Sequence, residues 1–402
     1  MSRTRHIRVS SRAFMSDALR ERLIALRRDL HQNPELSFAE HRTSDVLARE
    51  LETLSPVRLD RVARTGLIAR IAGRDPSAPV VAIRGDIDAL PIQEATGLAF
   101  ASTNDGVMHA CGHDVHATWA VGAAALLRAA PAAGDVLVVL QPAEEIGEGA
   151  MAVVESGQLQ DVKAIFGAHV DRRFTVGQVV AQAGPLAASA DVFDIVLTGR
   201  GAHGARPHES ADPVVCMAAL VSALQTIVSR RVNPATPAVV TIGMVSAGTA
   251  PNIIPERAEL RGTLRATDHE TRALLQAEVR DISTHIAAAH HVEARVTFSA
   301  GVPPVINDAR AARWAADAAS EMLGADSVVP LGITNMAGED FAWYLRQIPG
   351  CFLRVGAREH DEPVIPAHSP QFDVSEEAIF VGAAVLAACA RRASAELAAE
   401  HG

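Results

Sequence analysis

Sulfur, imidazole and carboxylate donors gather in a few short stretches of this chain. MHACGHDVH (residues 108–116) supplies Cys111 and His113, VLVVLQPAEE ends on the acidic pair Glu144-Glu145, and His169 and His368 follow downstream. A thiolate, imidazole nitrogens and carboxylate oxygens are together the donor mixture that a borderline divalent cation such as Zn²⁺ accepts. Two adjacent acids leave one carboxylate to spare once the other has ligated. Metal-assisted hydrolysis requires such a spare group, because the proton of the attacking water must go to a base.

Each piece is ordinary by itself. A cysteine two residues before a histidine arises by chance, and acidic doublets usually sit on solvated faces. Glu144-Glu145, however, directly follows an apolar strand, where two like charges need a counter-charge that a metal pair supplies. Side chains alternate along extended backbone, so one acid can face an ion while its neighbour faces a substrate. Spacing alone leaves open which does which.

The elements between these residues must bring them together. Leu19, Leu23, Leu26 and Leu30 repeat at helical spacing behind Ser16 as N-cap, Pro34 ends that helix, and a second helix is predicted over 39–54. Short β-branched runs then alternate with helical segments, giving strands at 80–84, 136–141 and 164–168 and a helix over 116–130. This alternation predicts an α/β layered domain around a largely parallel sheet. Asp86 and Asp88 follow the first of these strands, the acidic pair the second and His169 the third, with His113 at the head of the helix. Open α/β sheets bind ligands at the carboxyl ends of their strands, so these groups can converge.

Residues 188–298 have a different rhythm. Strand 192–197, helix 212–228, strands 239–245 and 259–264, helix 269–289 and strand 292–298 follow one another, the β-α-β-β-α-β order of the ferredoxin-like split unit. A strand at 352–355 and then His368 resume the earlier pattern. The expected organisation is therefore one domain of 16–187 with 299–402, a second domain of 188–298 inserted into it, and a disordered extension over 1–15. That extension carries Arg3, Arg5, Arg8 and Arg12 with several serines and no acid.

Composition narrows the function. At 402 residues the chain exceeds what one hydrophobic core ordinarily serves. A formal charge of −10, with no basic cluster along the body of the chain, argues against a nucleic-acid partner. Cys111, Cys216, Cys351 and Cys389 stand at no paired spacing, which predicts free thiols and a cytoplasmic location. Apolar runs are broken at Arg128, Pro131 and Asp135, or last about a dozen residues around 378–390, short of the roughly 20 that span a bilayer. No membrane span is expected.

Nine motifs, in order, resemble the M20 metallopeptidase family: RGDIDALP (84–91), MHACGHDVH, QPAEE (141–145), GAHV (167–170), GAHGARPH (201–208), NIIP (252–255), RGTLR (261–265), GEDFAWYL (338–345) and AHSP (367–370). The likeness is greatest to the amidohydrolase branch that includes hippurate hydrolases, auxin-conjugate hydrolases and N-acyl-amino-acid amidohydrolases. It implies a three-layer αβα catalytic domain holding two divalent ions (Zn²⁺, Mn²⁺, Co²⁺ or Ni²⁺) and an inserted ferredoxin-like α+β satellite domain that closes over the site and forms homodimers. Carried over by motif, the ligands fall on Cys111, His113, Glu145, His169 and His368 and the general base on Glu144. Cys111 is then a thiolate held by the ions and not a nucleophile. Asp86 and Asp88 support the ligands, His203 stabilises the oxyanion from a neighbouring subunit, and Asn252 and Arg265 grip the substrate carboxylate.

Two stretches depart from the family pattern, IGEGAMAVVESGQL after the acidic pair and Arg172-Arg173 in HVDRRFTVG. Both are expected near the mouth of the site, where they bear on substrate preference. Glu339-Asp340 in GEDF is expected to be structural or to support the ligands. The resemblance implies hydrolysis of the amide of a small N-acyl amino acid, releasing a carboxylic acid and the amino acid. A carboxypeptidase or dipeptidase of the same family, or a non-catalytic metal-binding relative, are the alternatives.

Overall fold

The computed structural model describes residues 14–299 and 301–401. Arg3, Arg5, Arg8 and Arg12 of the expected extension lie outside the described residues, whereas Met15 at its end is buried in the core. The chain divides into two compact units. One takes Met1–Gly184, Asn307–Gly332 and Asp340–Gly402, and the other takes Pro185–Ile306 and Ile333–Glu339.

The larger unit is built on a seven-stranded sheet. Its order is Arg58–Val62, Gly66–Ile71, Val136–Gln141, Val80–Asp86, Val162–Thr175, Gly350–Arg358 and Val179–Val180. The four strands from Val136–Gln141 to Gly350–Arg358 run parallel to one another. The flanking strands pair antiparallel. The sheet is thus mixed, and the hairpin Arg58–Val62/Gly66–Ile71 is an addition to the sequence reading. Its turn places Ala63 and Arg64 at φ 46° and 69°, without the Asn-Gly or Asp-Gly pair that ordinarily announces such a turn.

Alternation along the central strands sorts the two faces. Val81, Ile83, Val138, Phe166, Ala168, Leu353 and Val355 share one apolar core with helices Asp17–Gln32, His113–Ala129, Ala309–Leu323 and Glu377–His401. On the opposite face Phe352 stacks on Phe341, beside the short helix Ala342–Leu345. Helices therefore cover the sheet on both sides, giving three layers. Helix Asp17–Gln32 starts where Ser16 accepts the amide of Leu19. Helix Glu377–His401 lies close against His113–Ala129, since a Cβ at Gly382 would come within 2.1 Å of Trp119.

That last helix corrects one expectation. Its Glu377–Glu400 stretch is long and apolar enough, by length and composition, to cross a membrane. The apolar run around 378–390 was too narrow a view, because the alanines and leucines beyond it continue the same helix. In this fold 78% of the apolar window is buried inside the protein, so its apolar side chains serve the core. Pro213–Arg230 passes the same test of length and apolarity, but the single helix expected over 212–228 is two, Pro213–Leu224 and Thr226–Arg230.

The second unit carries a four-stranded antiparallel sheet in the order Ala238–Ala247, Arg257–Ala266, Asp191–Thr198, Glu293–Phe298. Helices Pro213–Leu224 and His269–Ala289 complete the ferredoxin-like order. Phe193, Ile195, Leu197, Leu260 and Leu264 face those helices in one core. Intervening residues such as Asp194, Glu259 and Arg261 remain accessible.

Candidate active site

Strand ends and one helix start deliver the polar residues of the larger unit. Val80–Asp86 ends on Asp86, with Asp88 two residues on. After Val136–Gln141, Ala143 takes φ 53° and turns the chain into Glu144-Glu145. The helix expected from residue 116 begins one turn earlier, at His113, because Gly112 at φ 91° starts it. No larger residue fits there, since a Cβ on Gly112 would meet Val170 Cγ2 at 2.6 Å. His169 does not end its strand, as the sequence reading had it. Val162–Thr175 runs on past it, but its neighbour Val80–Asp86 makes its last pair to this strand at Gly167, so the edge beside His169 is open on that side.

The five residues expected to ligate come together. Cys111, His113 and His169 have donor atoms within 4.8 Å of one another, and so have Cys111, Glu145 and His368. The two triads share Cys111. A third, His113 with Glu144 and Glu145, links them through the acidic pair. Cys111 Sγ stands 3.2 Å from His169 Nε2, His113 Nε2 stands 3.7 Å from Glu145 Oε1, and His368 Nε2 stands 3.5 Å from Glu145 Oε2. His368 sits at φ 66°, its amide donating to Ala110 O at 2.8 Å.

Hydrogen bonds select the tautomers. His113 Nδ1 faces two acceptors, Asp88 O at 2.9 Å and Asp88 Oδ1 at 3.1 Å, and so must donate. His169 Nδ1 likewise faces Val170 O at 2.6 Å. Both rings therefore turn Nε2 toward the cluster. His116 also lies within range of Asp86 and His113, yet both its nitrogens are engaged, Nδ1 with Asp86 Oδ1 at 2.6 Å and Nε2 as acceptor of the Val170 amide at 3.0 Å. It has no lone pair left for an ion.

Charge in the cluster is strongly perturbed. Burial, reinforced by Glu145, pushes the Cys111 thiol well above its ordinary value. Burial also drives Glu145 up to about 7, against the pull of His113. His113 is held well above the usual histidine range, because Asp86 and Asp88 outweigh its burial. A thiol and a carboxylate whose ionisation is opposed by burial in one nest are the electrostatic signature of groups that want a cation. Two buried atoms without any hydrogen-bond partner, His113 Nε2 and Glu145 Oε1, face one another across this nest. The donor set thus fits divalent ions on geometry, tautomer and charge.

Comparison with known proteins gives the same picture. The model of peptidase family M20/M25/M40 matches residues 82–392. N-acetylcysteine deacetylase of Bacillus subtilis (strain 168) is 43% identical over 367 residues, covering 90% of this chain and 94% of that protein. The chain belongs to peptidase family M20. IAA-amino acid hydrolase ILR1-like 2 of Arabidopsis thaliana is 37% identical over 374 residues, covering 92% of this M20 chain and 84% of that one. Among solved structures, the YXEP protein of Bacillus subtilis, described as a dinuclear metal binding peptidase from the M20 family, superposes with a TM-score of 0.82 at 40% identity, covering 94% of this chain and 98% of that one.

Around the M20 donor cluster lies a layer in which the sequence pointed to Asp86 and Asp340 but not to Arg84, Gln141, Arg27 or Asp114. Arg84, fully buried in its strand, pairs with Asp86 and with Asp340 at 2.9 Å and donates to Gln141 Oε1 at 2.8 Å. Asp340 in turn accepts from Gln141 Nε2 and from the Ala150 amide, both at 2.9 Å. Its own amide donates to Glu144 Oε1 at 3.4 Å. Asp114, next to His113, is held by Arg27 Nε and His31 Nδ1, each at 2.8 Å. The one available signal was a charged residue inside an apolar strand, VVAIRGD. Arg172, read as a mouth residue, is instead buried and tied to Asp373 O, Pro363 O and Glu362.

In the second unit, His203 pairs with Ile253 in a two-residue ribbon, and Asn252 O accepts the Gly204 amide at 2.8 Å. His203 and Asn252 are thus neighbours, and both are exposed. Arg265 lies apart on strand Arg257–Ala266, half-buried, its pKa lowered by burial.

Proposed function

We propose that this chain is a cytoplasmic, metal-dependent amidohydrolase that cleaves N-acyl amino acids to a carboxylic acid and a free amino acid. The observation that carries this reading is the pair of donor triads sharing Cys111, with Glu144 beside them. Cys111, His113, Glu145, His169 and His368 would hold two divalent ions. Sulfur and imidazole donors favour Zn²⁺, Co²⁺ or Ni²⁺ over Mg²⁺ or Ca²⁺, and the carboxylate of Glu145 also suits Mn²⁺. When bound, such ions acidify water and polarise an acyl oxygen.

The chain's own groups do the rest. Glu144 takes the proton from the attacking water and delivers it to the amide nitrogen as the C–O bond forms and the C–N bond breaks. Its Oε1 is oriented by the Asp340 amide at 3.4 Å, and its Oε2 lies 3.8 Å from His113 Nε2. Asp88 and Asp86 fix the rings of His113 and His116. His203 contributes a donor to the oxyanion, and Asn252 with Arg265 receives the substrate α-carboxylate through amide and guanidinium.

Homodimerisation through the second unit is supported by its surface. Strand Ala238–Ala247 is a sheet edge with Val239, Met244 and Val245 exposed, and Val214, Val215 and Ile253 are exposed in the same unit. Apolar side chains on an open edge invite strand-to-strand pairing. The cytoplasmic assignment rests on four buried free thiols.

The deciding experiment loads the purified protein with each metal and assays acetyl-, benzoyl- and indole-acetyl-amino acids beside dipeptides. Turnover of the N-acyl amino acids is the expected result. Turnover of dipeptides alone would favour the peptidase alternative, and inertness on the whole panel would favour a binding protein.

A further inference from the structure

Among the described residues four arginines are buried: Arg27, Arg84, Arg172 and Arg354. Three have their charge answered. Arg27 pairs with Asp114 and Asp373, Arg84 with Asp86 and Asp340, and Arg172 with Glu362. Arg354 differs. It is only 5% exposed, its Nε is sealed without a hydrogen-bond partner, and no carboxylate lies within ion-pair distance. Its guanidinium meets only the ring of Phe352, 5.5 Å from the centroid. An unpaired buried cation is costly to a fold, and a single cation–π contact offsets only part of that cost.

Its position suggests what does. Arg354 is the register partner of His169 on the adjacent parallel strand. Laterally paired residues project to the same face, with backbones about 4.8 Å apart. His169 Nε2 is in turn 3.2 Å from Cys111 Sγ. Arg354 therefore stands one strand away from the donor cluster, on its side of the sheet, above the Phe341–Phe352 aromatic pair.

We propose that Arg354 is a specificity-determining residue that receives a second carboxylate of the substrate, carried in addition to the α-carboxylate of the amino acid. This rests on the amidohydrolase reading above. A guanidinium fork matches a carboxylate in shape and charge and stays charged when buried. A cation next to a cation-binding nest is tolerable when an anion closes against it, and a dianionic substrate supplies that anion. The second carboxylate can come from the acyl side, as in a succinyl group, or from an acidic amino-acid side chain.

The test compares wild type, Arg354→Leu and Arg354→Lys, all metal-loaded, on N-succinyl-alanine, N-acetyl-aspartate and N-acetyl-alanine. Wild type should favour one of the two diacids over N-acetyl-alanine by roughly 10–100-fold in kcat/KM, mostly through KM. Which diacid is favoured identifies the source of the carboxylate. R354L should abolish that preference and R354K should restore part of it. An equal preference in wild type and R354L would overturn the proposal. So would an equal loss on all three substrates, which would mean that Arg354 grips the α-carboxylate. Calorimetric titration with succinate and with acetate gives a readout independent of turnover. Succinate should bind wild type more tightly than acetate does and lose that advantage in R354L, and equal succinate binding by both proteins would also overturn the proposal. If wild type cleaves nothing, the amidohydrolase reading fails and the calorimetry alone decides the anion site.

Discussion

Asp88 engages His113 Nδ1 twice, through its backbone carbonyl at 2.9 Å and its carboxylate at 3.1 Å. The same carboxylate accepts the Glu145 amide at 3.0 Å and the Ser37 hydroxyl at 2.7 Å. One acid thus sets the ring of one proposed ligand and the backbone of another. Asp88→Ala should lower metal affinity by roughly 10–100-fold while the protein stays folded, the usual effect of losing a group that orients a ligand. Chelator competition with a metal-sensitive dye measures it. Unchanged affinity would show that the backbone carbonyl alone orients His113.

The two members of the acidic pair should separate by their phenotypes. Glu144→Gln is expected to cut kcat by about 10²–10⁴-fold, as removal of a general base does, with two metal ions still bound. Glu145→Gln should lose metal as well as activity. Elemental analysis beside a turnover assay distinguishes the two. A Glu144→Gln protein that sheds metal and an active Glu145→Gln protein would reverse the assignment.

His31 makes stability depend on pH. Its Nδ1 lies 2.8 Å from Asp114 Oδ2 and its Nε2 3.3 Å from Glu94 Oε1. Burial opposes its charge, but Asp114 and Glu94 outweigh burial and raise its pKa from 6.5 to about 9. A raised histidine stabilises the fold fully below its unfolded value and loses that contribution as pH climbs through the folded value. The window therefore runs from about 6.5 to about 9. The contribution is on the order of 3 kcal/mol for this shift. Asp114 stays ionised throughout, because Arg27 and His31 hold it far below the usual carboxylate range in spite of its burial. Urea unfolding of wild type and His31→Gln should show a stability gap at about pH 6 that shrinks by roughly that amount at about pH 9.5. A gap independent of pH would mean that His31 acts by packing alone.

How much of this was legible beforehand follows from the range of each interaction. Val136–Gln141 and His269–Ala289 have the limits that periodicity predicts, because local alternation and local caps determine them. Cys111, His113, Glu145, His169 and His368 were recognisable by chemical type, and the strands then explain how they meet. The arginine contacts were not legible. Arg84 and Asp340 are 256 residues apart, and Arg27 and Asp114 are 87 apart, so no local pattern announces either pair. Arg354 sits in a strand whose alternation hides it, since CFLRVGA reads as an ordinary buried run. Only the register with His169 gives that residue a meaning.

His203 offers a test of assembly and chemistry together. It is exposed on the Ala202–His203 ribbon of the second unit, and its Nδ1 accepts the Ala205 amide at 3.1 Å. That bond leaves Nε2 as the ring's free donor. His203→Ala should reduce kcat by about 10²–10³-fold, the usual cost of one oxyanion donor, without loss of metal. If the donor crosses a two-fold interface, a subunit carrying Glu144→Gln still lends His203 to a partner that lacks it. Co-expression of the two inactive variants should then form mixed dimers with one complete site, and a statistical mixture should recover about a quarter of wild-type activity. No recovery, with mixed dimers demonstrated by mass, would confine His203 to its own subunit.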